Sequence, residues 1–100
     1  MNRFSVLYQY KKQYHHLSYT TRSEAEAVLN KFSRKRKGIP IGIYDAKTEL
    51  FSWEHARQKK HSQLSFGSQA KEENAIINVV QNLRLRDEAA LHDIELVELD

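Results

Sequence analysis

Apolar and polar positions alternate with period two from Arg3 to Tyr10. Phe4, Val6, Tyr8 and Tyr10 fall on one side, and Ser5, Leu7 and Gln9 on the other. That is the signature of a half-buried β-strand. A second aromatic-rich run, Tyr14 to Tyr19, follows Lys11-Lys12-Gln13. The gap is of hairpin length, and its lack of Gly or Asn predicts a bulged or longer turn rather than a tight type I′ turn.

The period then changes. Ala25, Val28, Leu29 and Phe32 recur at i, i+3, i+4 and i+7, one face of an amphipathic helix. Thr21-Arg22-Ser23-Glu24 reads as a capping box in which the Thr21 hydroxyl accepts the N3 amide and the Glu24 carboxylate reaches back to the cap's own amide. Gly38 supplies a left-handed terminator and Pro40 prevents continuation, so the helix is expected over 22–36.

Ile39, Ile41 and Ile43 alternate again and lead to Tyr44, a turn through Asp45-Ala46-Lys47-Thr48, and a fourth strand with Leu50, Phe51 and Trp53. Pro40 suits a strand's first residue or an edge. Residues 55–69 are polar, basic and aperiodic apart from Leu64 and Phe66, which predicts a long loop or a loop hiding a helical turn. Ile76, Val79, Val80 and Leu83 restore the helical period, giving a helix over 70–86 that Ser68 is placed to cap. Ile94-Glu95-Leu96-Val97-Glu98-Leu99 alternates and is read as a final strand over 94–99; the other reading is a helix with Leu91, Ile94 and Val97 on one side.

The order β-β-α-β-β-α-β, with one ββα unit over 3–38 and two further strands over 39–54, specifies a single α+β domain spanning residues 1–100. Two amphipathic helices need an apolar surface, and an antiparallel sheet supplies one. The expected architecture is a two-layer sandwich with both helices on one face of the sheet. The opposite face then carries whichever of Leu7, Leu17, Tyr19, Phe51 and Trp53 points outward. Such a face calls for a covering partner, a second copy included, so a homodimer is one expectation.

Composition narrows the classes. With no cysteine, disulfides and thiolate metal sites are excluded. No apolar run approaches the roughly 18 residues that span a bilayer, and Met1-Asn2-Arg3-Phe4 leads straight into a strand pattern, so a cytoplasmic protein without membrane contact is expected. The net charge of +3 divides unevenly. Residues 1–63 hold 13 Lys and Arg against 5 Asp and Glu, and residues 64–100 hold 3 against 8. Charge pairing between the halves explains this, as does a polyanionic partner for the first half.

The densest cationic group is Lys31, Arg34, Lys35, Arg36 and Lys37, joined by Arg57, Lys59 and Lys60 in the long polar segment. Cations at a helix C-terminus oppose the helix dipole, which accounts for the first group without any ligand. The functional reading is a phosphate-contacting patch, since Lys and Arg release counterions from nucleic acid. Tyr8, Tyr10, Tyr14, Tyr19 and Trp53 are available to stack on bases, although the sheet also needs them as core.

The stretch from Tyr14 to Lys37, an aromatic strand followed by Thr20-Thr21-Arg22-Ser23-Glu24-Ala25-Glu26-Ala27, resembles the strand-to-helix junction of integrase arm-type DNA-binding domains. It covers 24 of the 100 residues. Those domains lead with three strands and lack a second ββα unit, and no residue role is carried over.

No catalytic, cofactor or metal signature accompanies these elements. His15 and His16 are adjacent on a strand and point to opposite faces. His55 and His61 lack the i, i+4 spacing of a helical zinc motif. There is no Gly-x-Ser-x-Gly elbow, and three glycines form no phosphate-cradling loop. The sequence therefore predicts a small non-enzymatic intracellular binding or adaptor domain, acting on a protein partner or on a second copy of itself. Its alternative is a nucleic-acid-binding protein using the basic patch.

Overall fold

A computed structural model describes residues 2–35 and 38–99, with side chains described at 2–32 and 38–87. Seven elements follow in order: β1 (Phe4–Tyr10), β2 (Gln13–Tyr19), α1 (Arg22–Lys35), β3 (Ile39–Asp45), β4 (Leu50–Trp53), α2 (His55–Ser62) and α3 (Phe66–Leu99). The strands form one antiparallel sheet in the order β2-β1-β3-β4. An α+β domain of order β-β-α-β-β-α is thus present, with one short additional helix. β2 and β3 run parallel on either side of β1, so α1 is the crossover of a split β-α-β unit.

The hairpin departs from expectation. Tyr10 pairs with Gln13, leaving Lys11 and Lys12 as a two-residue loop with φ of 50° and 65°. Two positive φ values define a type I′ turn, whose twist matches the flanking strands. Strand register has overridden residue preference here. At the head of α1 the Thr21 hydroxyl oxygen accepts the Glu24 amide at 3.3 Å, as the capping box requires. The Glu24 carboxylate accepts from the Thr21 hydroxyl at 2.9 Å rather than from its amide. Asp45 closes the β3–β4 turn, its carboxylate accepting the Lys47 amide at 3.0 Å and its carbonyl the Glu49 amide at 2.8 Å.

The two long helices lie on opposite faces of the sheet, not on one. Phe4, Val6 and Ile43 pack with Ala25, Val28, Leu29 and Phe32 of α1. Leu7, Ile41, Tyr44 and Phe51 pack with Ile76 and Val80 of α3. Consecutive β1 residues Phe4 to Leu7 are all buried because each face of that strand has its own cover. The face expected to stay open, with Leu7, Phe51 and Trp53, is the one α3 occupies. A bulge makes this possible. Leu7 faces Gly42 and Tyr8 faces Pro40, so Ile41 is the extra residue, sent to the α3 side while Ile43 stays under α1. Pro40 sits next to the bulge and beyond the reach of β4, where its missing amide costs no ladder bond.

Two further expectations are corrected. Within the expected loop 55–69, residues 55–62 form α2. The Glu54 carboxylate caps it, accepting from the Ala56 and Arg57 amides at 3.1 and 3.3 Å, and its single buried residue, His61, stacks on Trp53 at 4.7 Å between ring centroids. Helix α3 begins at Phe66, capped by Ser65 rather than Ser68: the Ser65 hydroxyl oxygen accepts the Ser68 amide at 3.2 Å. It then runs unbroken to Leu99, so 94–99 is helix and not a final strand. No Gly or Pro interrupts 68–99, and Ala, Leu and Glu in that stretch are good helix formers.

Candidate nucleic-acid interface

Antiparallel pairing brings several chain segments to one end of the sheet. β1 runs toward the hairpin turn. β3 begins opposite Gln9, one residue short of that turn, so α1 must finish at the same end. Gly38 lies against the Gln9 carbonyl and the Tyr8 ring, and Phe32 of α1 stacks on Tyr8 at 4.5 Å. β4 ends opposite Gly42, and the Glu54 amide donates to the Ile41 carbonyl at 2.8 Å, so α2 also starts from this end. The hairpin turn and the last turn of α1 therefore lie at the same end of the sheet, whereas α2 leaves from the β4 side and its His61 stacks on Trp53, on the face opposite α1.

Of the expected basic residues, Lys31 is exposed on α1, and Lys59 and Lys60 are exposed in the last turn of α2 with Arg57 half-buried before them. Arg34 and Lys35 belong to the last turn of α1, but their side chains lie outside the described ones, and Arg36 and Lys37 lie outside the described residues. Sequence reasoning missed Lys11 and Lys12. Both are exposed at the tip, and Lys11 Nζ stands 5.4 Å from the Tyr10 ring centroid. Tyr10 and Tyr14 flank the turn and are 45% and 37% exposed, enough ring surface to stack on a base. Reading Lys11-Lys12 as the two-residue loop between alternating runs was the available signal. Tyr8, Tyr19 and Trp53 are instead taken up by packing.

Left-handed backbone at two consecutive non-glycine residues is strained, at about 1–2 kcal/mol each. Strain of this kind persists where surroundings or function hold it.

Family models, curated proteins and solved structures offer no match to this chain. Among the described residues no helix is long and apolar enough to cross a membrane, and no three His, Asp or Glu residues gather as metal ligands do.

A second polar assembly lies between the sheet and α3. Ser5 Oγ is fully buried and accepts from Arg84 Nη1 at 2.6 Å. His16 Nδ1 lies 3.2 Å from the same oxygen, and His16 Nε2 lies 2.6 Å from an Asp87 carboxylate oxygen. One proton arrangement satisfies every member: Arg84 donates to Ser5, Ser5 donates to Nδ1, and Nε2–H donates to Asp87. The residue types are those of a hydrolytic triad, but the roles are not. A nucleophilic serine needs an open approach and a lone pair to attack with, whereas Ser5 is enclosed and held by a cation. The assembly fixes α3 across β1 and β2. Its members are 71 and 79 residues apart in sequence, which left no local signal.

At the sheet's other end Arg3 grips Asp45 through Nε and Nη2 at 2.7 and 2.8 Å. The Arg3 guanidinium holds the Asp45 carboxyl well below the usual carboxylate range, and the Lys47 amide adds to this.

Proposed function

We infer that this chain is a non-enzymatic binding domain whose ligand is nucleic acid, engaged at the end of the sheet that carries the hairpin turn. The observation behind this is the strained Lys11-Lys12 turn, flanked by exposed Tyr10 and Tyr14 and set at the same end of the sheet as the last turn of α1. Lysines on separate elements supply phosphate contacts without sequence preference, and the tyrosines supply stacking surfaces.

The test is fluorescence anisotropy of labelled single- and double-stranded oligonucleotides at several salt concentrations. An interface engaging about four phosphates loses about 100-fold in affinity between 50 and 200 mM salt. Charge reversal by Lys11→Glu with Lys12→Glu should abolish binding while the circular dichroism spectrum stays that of the parent. Absence of binding at low salt would overturn the reading. A protein ligand for the same domain is the second reading, favoured by Phe66 and Leu50, 91% and 63% exposed. It predicts shallow salt dependence and loss of binding on substituting those two residues.

A further inference from the structure

β2 is an edge strand of the sheet. In the ladder with β1, the pairs next to the turn alternate, so Gln13, His15, Leu17 and Tyr19 bond inward while Tyr14, His16 and Ser18 aim their amide and carbonyl groups away from the sheet. The strand holds no Pro, no Lys and no bulge, the devices that normally protect such an edge. Asn2 Nδ2 reaches the Ser18 carbonyl at 3.4 Å, and the other outward groups have no protein partner among the described residues.

Beside this edge, on the α3 face, lies a groove of about 680 Å³ between the hairpin and α3. Val79, Leu83 and Tyr14 give it an apolar floor, and Lys12 and Arg86 outweigh the one carboxylate in its lining, Asp87, which is already engaged by His16. Helix α3 crosses the sheet from the β4 side, where Glu72 approaches His61 of α2 stacked on Trp53, to β2, where Asp87 meets His16. Beyond Asp87 it continues for 12 residues to Leu99, about 18 Å past the edge strand. The sequence of this extension is unlike the rest of the chain. Residues 88–100 contain Glu88, Asp93, Glu95, Glu98 and Asp100 with no Lys or Arg, a charge of −5, while residues 1–87 carry +8. Leu91, Ile94 and Val97 recur within it at helical spacing.

We propose that two copies of this chain pair through their β2 edges, and that the acidic C-terminal turns of each α3 lie in the other copy's groove. A second copy is the occupant because it alone brings both halves of the match. Antiparallel pairing centred on His16 lets Tyr14, His16 and Ser18 exchange backbone bonds with the partner's Ser18, His16 and Tyr14, which makes the edge self-complementary. The same twofold axis carries each acidic extension over the partner's β2, toward Lys12 and Arg86. The dimer contact rests on the outward-facing edge and the charge match; its groove shares Lys12 and Tyr14 with the lysine turn, so it is tested at residues outside that turn.

Sedimentation and light scattering of the full chain, from micromolar to hundreds of micromolar, provide the test. A mass twice the 11.8 kDa of the monomer is expected, with amide exchange at Tyr14, His16 and Ser18 slowing as concentration rises. Ser18→Pro removes one outward amide and leaves the β1 ladder intact, and should give a folded monomer. If that variant fails to fold, Glu95→Lys with Glu98→Lys reads the same contact through charge and should raise the dissociation constant at least tenfold. A monomeric mass throughout the range would overturn the proposal, as would a folded Ser18→Pro chain that still dimerises. In either case the oligonucleotide titration keeps its own outcome.

Discussion

Replacing the hairpin turn by Lys11→Asn with Lys12→Gly separates what the turn costs from what it does. Both residues sit at positive φ, where a side chain bearing Cβ loses about 1–2 kcal/mol. Asn tolerates that region and Gly is indifferent to it, and Asn-Gly is the preferred filling of a type I′ loop. Against the relieved strain stands the extra freedom of glycine in the unfolded chain, about 0.5–1 kcal/mol. The net expectation is a gain of about 1–2 kcal/mol. For a domain of this size each kcal/mol moves Tm by about 4–8 °C, so the variant should melt about 5–15 °C higher.

Binding should move the other way. Removing two lysines that each neutralise a phosphate would lower the slope of log affinity against log salt by about 1.4 for single strands and about 1.8 for duplex. Thermal and urea melts followed by circular dichroism, beside anisotropy titrations at four or more salt concentrations, measure both effects on one protein. A more stable variant with an unchanged salt slope would show that the lysines do not touch phosphate. A variant no more stable than the parent would show that the turn is not strained.

Two other substitutions probe the scaffold. A Cβ at Gly42 would lie 2.2 Å from the Ser52 carbonyl oxygen and 2.7 Å from the Phe51 ring, so Gly42→Ala should destabilise by about 3 kcal/mol in a urea melt. Gly67→Ala meets nothing within 4 Å and should be neutral or slightly stabilising; equal effects at the two sites would refute the packing argument. Asp45→Asn removes a carboxylate whose folded pKa is depressed by Arg3. Such a group stabilises the fold above its unfolded pKa of about 3.9, and that contribution fades as pH falls toward the folded value. The variant should therefore melt lower than the parent at pH 7, with the gap narrowing below about pH 4; a gap independent of pH would contradict the ion pair.

How legible each part was follows from the range of the forces involved. The period-two run of β1, the aromatic run of β2, the Thr21 hydroxyl cap of α1 and the Ile76–Leu83 face of α3 are encoded within a few residues, and the structure forms them where the pattern puts them. Helix α2 was hidden because its one buried residue is a histidine and its stop-and-start signals are a Glu cap and a Ser cap. Residues 91–99 fit a helical period as well, but alternation of Glu with apolar residues pointed to a strand. The sides of the sheet are illegible in the sequence for a different reason. Ile39, Ile41 and Ile43 share one face only if β3 is regular, and the bulge at Ile41 depends on pairing with β1, which no local pattern reveals.

That bulge also decides where function is to be sought. A two-layer sandwich would offer an open apolar sheet face as its natural binding surface. Here α1 covers one face and α3 the other, and Phe4, Val6 and Leu7 at the centre are each less than a tenth exposed. A sheet covered on both sides can present only its ends and its outer strands. One end collects the lysine turn and the end of α1, while the β2 edge points backbone groups of Tyr14, His16 and Ser18 outward beside a groove lined by Lys12, Arg86 and Asp87. The two surfaces differ in chemistry: flexible cations and exposed rings suit a polyanion, and ordered backbone donors and acceptors suit another strand. Chain reversal at Lys11-Lys12 joins them, because the same hairpin that sets the turn at the sheet's end also makes β2 the outermost strand.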